Sequence, residues 1–464
     1  MTSSASAATK TADSTRPLEV DQFPNSLIIE PRNPVTYEST LTPGLEKGEL
    51  YLINFENELA KGKAARDPAS YYAKAPTPTP TPPSHRPRVT VANKAESTTG
   101  EATLSNVYTS TERDYIYLIM RSSHDGGRTW SEPWEMRDRM GERVQGNHQS
   151  VFRTKSGKLG MVYNDHKLFP DGHPTRDGGS GMMFRQSSDE GRTWSDPVVV
   201  YRMHAMCCSG HTIVLESGRI VAPAYRWISF DETVASEADN HLSFSFTVVS
   251  DDEGKSWQPS YSELFVCNYR VCYALGEPTV VPLGDGRLLM DLRSEHGRRY
   301  QSFSEDDGIT WQRPQRVLQL ASSSVPSIIR RMPTGELLLI WNQATRGEIL
   351  KGLHRARLSC AVSKDEGETW ENFRNLESLD DETIIPPQPP DILEIIEQRE
   401  DYFYYQPSNT DRYHRAPGVL RVCYPDVQFV GDEAVIVYDY GWGVCGVSTT
   451  GTKVRTVPLD YLRG

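Results

Sequence analysis

Basic charge is in short supply: 50 Lys and Arg stand against 62 Asp and Glu over 464 residues, a formal net charge of −12. Such a balance argues against nucleic acid as a partner, since a polyanion would need a basic face. No apolar run approaches the ~20 residues that a membrane-spanning helix requires, so no membrane association is expected. The opening, MTSSASAATKTADSTRP, holds no apolar core. Residues 1–22 therefore read as a disordered tail and not as a secretory signal, which implies a cytoplasmic protein, or a secreted one whose leader is absent from this sequence. Cysteine is scarce as well. The seven present (Cys207, Cys208, Cys267, Cys272, Cys360, Cys423, Cys445) are odd in number and show no paired CxxC spacing. Neither a zinc site nor a full disulfide framework is expected, and no metal or other cofactor is implied; Cys267 and Cys272 could bridge in an oxidising compartment, and buried free thiols are the simpler reading.

What the chain does have is repetition. One octapeptide pattern occurs five times, at Ser123–Trp130, Ser187–Trp194, Ser250–Trp257, Ser304–Trp311 and Ser363–Trp370. Its aspartates, Asp125, Asp189, Asp252, Asp306 and Asp365, are 64, 63, 54 and 59 residues apart, the length of a four-stranded antiparallel blade with its loops. Within each copy the chemistry is that of a tight turn. The Asp carboxylate can accept backbone N–H bonds, the Gly supplies a backbone conformation that a side chain penalises, and the Trp can cover the joint between strands. These aspartates are thus expected to specify the fold and not to touch a ligand.

A second repeat sets the phase. Apolar runs broken by a turn occur at 150–165, 211–226, 277–293, 326–342 and 425–441, with a first copy at 39–55. Each reads as a hairpin of two inner strands. The expected fold is all-β: a six-bladed β-propeller of four-stranded antiparallel blades, one domain over 23–464, with long insertions at 56–113 and 377–415. The strand-like termini, Ser26–Glu30 and Lys453–Pro458, are expected to pair and so close the ring, which removes an exposed edge. The turn motif marks one end of the strands, so the start of each innermost strand, the end of the second and the start of the third meet at the other end, around the central channel. Polar residues fall there: His148, Asp165 and His166 in blade 2, His211 and Arg226 in blade 3, Glu277 and Arg293 in blade 4, Arg355 in blade 5, and Tyr424 and Tyr440 in blade 6.

The octapeptide is the Asp box Ser-x-Asp-x-Gly-x-Thr-Trp, and over roughly residues 30–460 the chain resembles the sialidase superfamily. GEPTVVPLGDGRLLMDLR at 276–293 is similar to the blade of that family that carries a Glu and a carboxylate-binding Arg. The resemblance implies Glu277 as general base, Arg293 and Arg355 as carboxylate clamps, and Tyr424 as nucleophile; by strand phase alone Arg226, Asp165 and Tyr440 are expected as further substrate-binding residues. A sialic acid carries its carboxylate on the anomeric carbon, where an anionic nucleophile would be repelled and a neutral Tyr is not. Two departures stand out. The family's Arg-Ile-Pro motif, source of the first clamp arginine, is missing; Arg32 and Arg88 are the nearest residues. The acid/base aspartate has only Asp67 and Asp114 as candidates by position, whereas His148 and His211 put imidazoles at strand starts, suited to acid/base work or to binding a sugar hydroxyl. The implied activity is that of an exo-acting retaining glycosidase releasing a terminal sialic acid or related acidic sugar. The alternatives are a uronate-glycan lyase or hydrolase using a channel-mouth His, and a glycan-binding propeller without turnover.

Overall fold

Strands packed face to face between neighbours are buried on both sides and read as continuous apolar runs. Leu159–Asp165 and Leu337–Trp341, second strands of their sheets, are buried at every residue. The computed structural model describes residues 26–29, 36–58, 115–165, 181–201, 206–207, 210–229, 241–267, 272–273, 275–294, 297–345, 348, 353, 355–378, 420–442 and 451–464. The tail 1–22, Arg32, Asp67, Arg88, Asp114, His166 and nearly all of both insertions lie outside the described residues.

Six antiparallel sheets follow one another around a ring, as the repeats predict. Blade 1 runs through Thr36–Pro43, Leu50–Glu58, Tyr115–Ser123 and Trp134–Glu135. Blade 2 is built from Gly146–Arg153, Leu159–Asp165, Gly181–Ser187 and Val198–Tyr201. Blade 3 has Ile213–Val214 and Met206–Cys207 on Ile220–Ser229, then His241–Ser250 and Gln258–Pro259. Blade 4 comprises Leu275–Pro282, Leu288–Ser294, Arg298–Ser304 and Gln315–Ala321. Blade 5 comprises Ile328–Arg331, Leu337–Trp341, Arg357–Ser363 and Glu371–Ser378. Blade 6 takes Leu420–Val430, Glu433–Trp442 and Gly451–Pro458 from the end of the chain, and its fourth strand, Ser26–Ile29, from the beginning. Ser26 pairs with Arg455 and Ile29 with Thr452, so the termini close the ring as expected.

There is no single core. Six apolar clusters each lie between two successive blades, from Ile53, Leu118 and Met161 between blades 1 and 2 round to Leu52, Val435 and Val437 between blades 6 and 1. Each blade is half of two cores, which is why no repeat can bury its own faces alone. Cys360 and Cys423 are buried and are not in a disulfide. Cys267 and Cys272 are register partners in a short two-stranded ladder.

The Asp boxes are the turn devices that their composition suggests. In the first copy Asp125 Oδ1 accepts hydrogen bonds from Ser123 Oγ at 2.8 Å and Thr129 N at 2.9 Å, while Oδ2 accepts from Thr129 Oγ1 at 2.6 Å. The same set recurs at Asp189, Asp252, Asp306 and Asp365. Each box begins at the last residue of a third strand, the edge of the blade opposite the starts of first strands and the ends of second strands. Both oxygens of every box aspartate are therefore spent far from the channel mouth.

Candidate active site

The site arises from a backbone irregularity that recurs in blades 2, 4 and 6. Eight described non-glycine residues have left-handed φ; four of them, Glu190, Glu253, Asp307 and Glu366, follow the aspartate of an Asp box, and Asn372 stands alone. The remaining three are His148 (φ 50°), Glu277 (φ 40°) and Tyr424 (φ 53°). Each lies in a two-for-one bulge of an innermost strand: between Asn147 and Ser150, between Gly276 and Thr279, and between Cys423 and Asp426. Left-handed backbone costs a side-chain-bearing residue about 1–3 kcal/mol and persists only where its surroundings impose it, and bulges re-aim side chains.

What imposes it is visible two residues further on. Ser150 Oγ accepts the N–H of Thr212 at 2.8 Å, Thr279 Oγ1 accepts that of Ile329 at 3.5 Å, and Asp426 Oδ2 accepts that of Leu41 at 2.9 Å. Each bond runs from an even-numbered blade to the innermost segment of the next. Blade 3 braces two bulges at once, since Gly210 N donates to the carbonyl of Gln149 at 3.1 Å and His211 Nδ1 lies 2.9 Å from that of Pro278. Contacts with neighbouring blades thus hold these three bulges.

At the channel mouth the bulges of blades 4 and 6 meet. Tyr424 Oη donates to Glu277 Oε1 at 3.1 Å, and Arg293 Nη1 forms an ion pair with Glu277 Oε2. Arg293 Nε donates in turn to Ser324 Oγ of blade 5 at 3.1 Å. The Arg355 guanidinium stands 5.4 Å from the centre of the Tyr424 ring, with Nη1 on Cys423 Sγ at 3.2 Å. Glu277 is only 3% exposed, whereas Tyr424, Arg293 and Arg355 are partly open to solvent. Burial pushes the Glu277 carboxyl up, but Arg293 above all, helped by positive charge on His148 and Arg355, outweighs it and holds the group below its usual value. A buried, ionised carboxylate in contact with a phenol can take the phenolic proton as the phenol attacks an electrophile.

The other expected residues fall in several places. His148 is buried at its bulge in blade 2. His211 is buried too, and burial, reinforced by Arg330, drives its imidazole down to about 3. A carbonyl can only accept, so Nδ1 carries the proton and is spent on Pro278. Asp165 is buried at the end of its strand and accepts from Tyr163 Oη at 2.7 Å, which itself accepts from Arg185 Nε at 2.7 Å. Arg226 is engaged elsewhere, by both oxygens of Glu263 at 2.8 Å. Tyr440 is enclosed in the core between blades 5 and 6, with Lys453 Nζ 4.5 Å from its ring centre. The residue opposite Cys423, hence beside the Tyr424 bulge, is Asp439, while Tyr440 is one step further, opposite Val422.

Sequence reading missed two positions. Ser324 is one. The other is in blade 1, where the same bulge lies between Tyr37 and Thr40, so the backbone register makes Glu38 the counterpart of His148, Glu277 and Tyr424. A small polar residue two places on, in His-Gln-Ser, Glu-Pro-Thr, Tyr-Pro-Asp and Glu-Ser-Thr, was the available signal. Among the described residues no group of three or more His, Cys, Asp or Glu is arranged to hold a metal ion, and no helix is long and apolar enough to cross a membrane.

Solved structures with this fold include a protein of unknown function from Dyadobacter fermentans, at TM-score 0.57 and 14% identity over 94% of this chain and 98% of that one. The NanB sialidase from Streptococcus pneumoniae, as its K499G mutant, aligns at TM-score 0.55 and 10% identity, over 94% of this chain and 71% of that one. Trypanosoma rangeli sialidase in complex with sialic acid aligns at TM-score 0.51 and 12% identity, over 96% of this chain and 59% of that one. At these identities the likeness establishes the propeller alone. A search of curated proteins found no match. The BNR repeat-like domain, however, matches residues 119–432, more than half of the sequence and most of the ring, and the chain belongs to that family.

Proposed function

We propose that this protein is an exo-acting, retaining glycoside hydrolase that releases a terminal sialic acid or a related acidic sugar. The observation that carries the reading is the hydrogen bond from Tyr424 to Glu277, made while Arg293 holds the carboxylate's other oxygen and Arg355 lies over the phenol ring. Tyr424 attacks the anomeric carbon as Glu277 removes its proton, and the substrate carboxylate is drawn to the two guanidinium groups, whose paired N–H donors match a planar anion. Two arginines at the mouth of a protein with net charge −12 also reverse the local field, so neutral glycosides are expected to bind poorly. One observation widens the choice of acidic sugar. The blade 1 counterpart is Glu38, so the arginine of the missing Arg-Ile-Pro motif has no equivalent at that position. Uronides are therefore tested beside sialosides.

The decisive experiment is a mutant cycle on a fluorogenic sialoside and a matched uronide. Tyr424→Phe removes one oxygen and is expected to cut turnover by roughly 10³-fold or more, with Glu277→Gln doing similar damage and the double variant little more, because groups acting as a unit are not additive. A 2,3-difluoro analogue of the sugar should leave a covalent adduct on Tyr424. Full activity in Tyr424→Phe overturns the proposal.

A further inference from the structure

We propose that His148 is the proton-exchanging residue of this site, donating to the departing glycosidic oxygen in the first step and taking a proton from water in the second. This rests on the function proposed above. Three features of the fold support it. His148, Glu277 and Tyr424 occupy the same bulge with the same left-handed backbone in blades 2, 4 and 6, so the device that presents the reactive pair also presents the imidazole. All three bulges carry the same brace, an acceptor two residues on that binds the next blade. Blade 1 has the bulge without the brace, since among the described residues Thr40 Oγ1, at the equivalent position, has no hydrogen-bond partner. Finally, the neighbouring imidazole is already spent, because His211 holds the Pro278 carbonyl and with it the bulge of Glu277. His148 is close enough for its positive charge to favour the Glu277 carboxylate.

The proton balance closes. In the first step the imidazolium N–H of His148 passes to the glycosidic oxygen as the bond from that oxygen to the anomeric carbon breaks. The Tyr424 oxygen bonds to the carbon, and its own proton moves to Glu277. In the second step water bonds to the carbon and gives a proton to the now neutral His148, while the Tyr424–carbon bond breaks and Tyr424 recovers its proton from Glu277. The sum is hydrolysis, with every residue restored.

The test compares wild type with His148→Asn, a residue that tolerates left-handed backbone, and His148→Gly, which removes that constraint altogether. The substrates are glycosides of whichever acidic sugar, sialic or uronic, the wild type turns over, with leaving groups running from dinitrophenol to lactose. In both variants kcat/KM for the lactose glycoside is expected to fall about 10²- to 10⁴-fold and that for the dinitrophenyl glycoside less than about tenfold, since only the poorer leaving group needs a proton. With the dinitrophenyl glycoside, whose second step lacks its general base in the variants, added azide, which attacks without one, should restore kcat and give the glycosyl azide. A loss that is equal across the series, or no loss, overturns the role of His148 while leaving the Tyr424–Glu277 reading intact. Failure of both variants to unfold cooperatively makes His148 structural and overturns it likewise. A wild type that turns over neither sugar overturns both proposals.

Discussion

Glu277 sits between opposed influences, and its working state depends on which one prevails. Burial opposes ionisation, whereas the guanidinium of Arg293, directly on one oxygen, favours it and wins. Removing Arg293 leaves burial less opposed, so the Glu277 pKa must rise. Arg293→Ala is accordingly expected to move the acidic limb of the kcat/KM–pH profile to higher pH, in addition to raising KM for acidic substrates, because kcat/KM reports ionisations of the free enzyme. A profile whose acidic limb stays in place would show that Glu277 is not the group titrating there. His211 illustrates the opposite regime. Buried, with Arg330 nearby, and turned to a carbonyl, it stays neutral and serves geometry.

Among elements, the Asp-box turn does two jobs with one glycine. Gly254 has φ 86°, and a Cβ there would run into the Phe184 ring of the preceding blade. The box glycines of the other copies likewise meet the blade before them: Gly127 meets Val435, Gly191 meets Met120, Gly308 meets Val221 and Gly367 meets Leu289. The hairpin glycine of blade 4 is different. Gly286 has a similar φ of 91°, yet nothing lies within 4 Å of its Cβ direction. Gly286→Ala should therefore cost about 1 kcal/mol, for backbone strain alone. Gly254→Ala should cost about 2–4 kcal/mol, since overpacking adds about 1–3 kcal/mol to that strain. Chemical denaturation of the two variants checks the difference, and equal losses would remove the claim that the box glycine is also a packing residue.

For the whole molecule, stability rests on closing a ring, and Asp426 is where the closure is polar. Its carboxylate accepts the N–H of Leu41 in blade 1, and Arg330 of blade 5, which also donates to the carbonyl of Gly210 in blade 3, approaches it at 3.6 Å. Four blades thus converge on one buried acid. Burial pushes Asp426 up to about 6 from 3.8, against the pull of Arg330 and the Leu41 and Val427 N–H groups. The folded ring therefore binds this proton more tightly than the unfolded chain does. The resulting stabilisation is complete below the unfolded value of 3.8 and is lost as pH rises through about 6. Wild type should consequently gain thermal stability between about pH 7 and pH 5 relative to Asp426→Asn, in which nothing titrates at this position. Parallel Tm–pH curves for the two proteins would exclude Asp426 as a source of the pH dependence. The Asp boxes act with the opposite sign: their turn hydrogen bonds overcome partial burial and hold Asp125 at about 2, so their stabilisation is lost only in stronger acid.

The sequence by itself determined what is local and repeated. Asp-box turn chemistry and the apolar hairpins specified blade number and phase, as well as the edge of each blade that holds the turns, because these depend on neighbours a few residues apart. It also brought Glu277, Arg293, Arg355 and Tyr424 to the channel mouth, since a phase shared by all blades converts position along a strand into position around a ring. Only the tertiary structure decided which side chains meet. Tyr424 and Glu277 are 147 residues apart, and the bulges that present them shift the register of their strands. A shift of one residue exchanges the two faces of a strand, so Asp439 stands beside the bulge where sequence phase pointed to Tyr440. The bulge in blade 1 places Glu38 in the same way, whereas Arg226 lies in an unbroken ladder and is taken up by Glu263, and Ser324 lies between strands. The braces that hold the bulges exist only once neighbouring blades touch, and no single repeat encodes them.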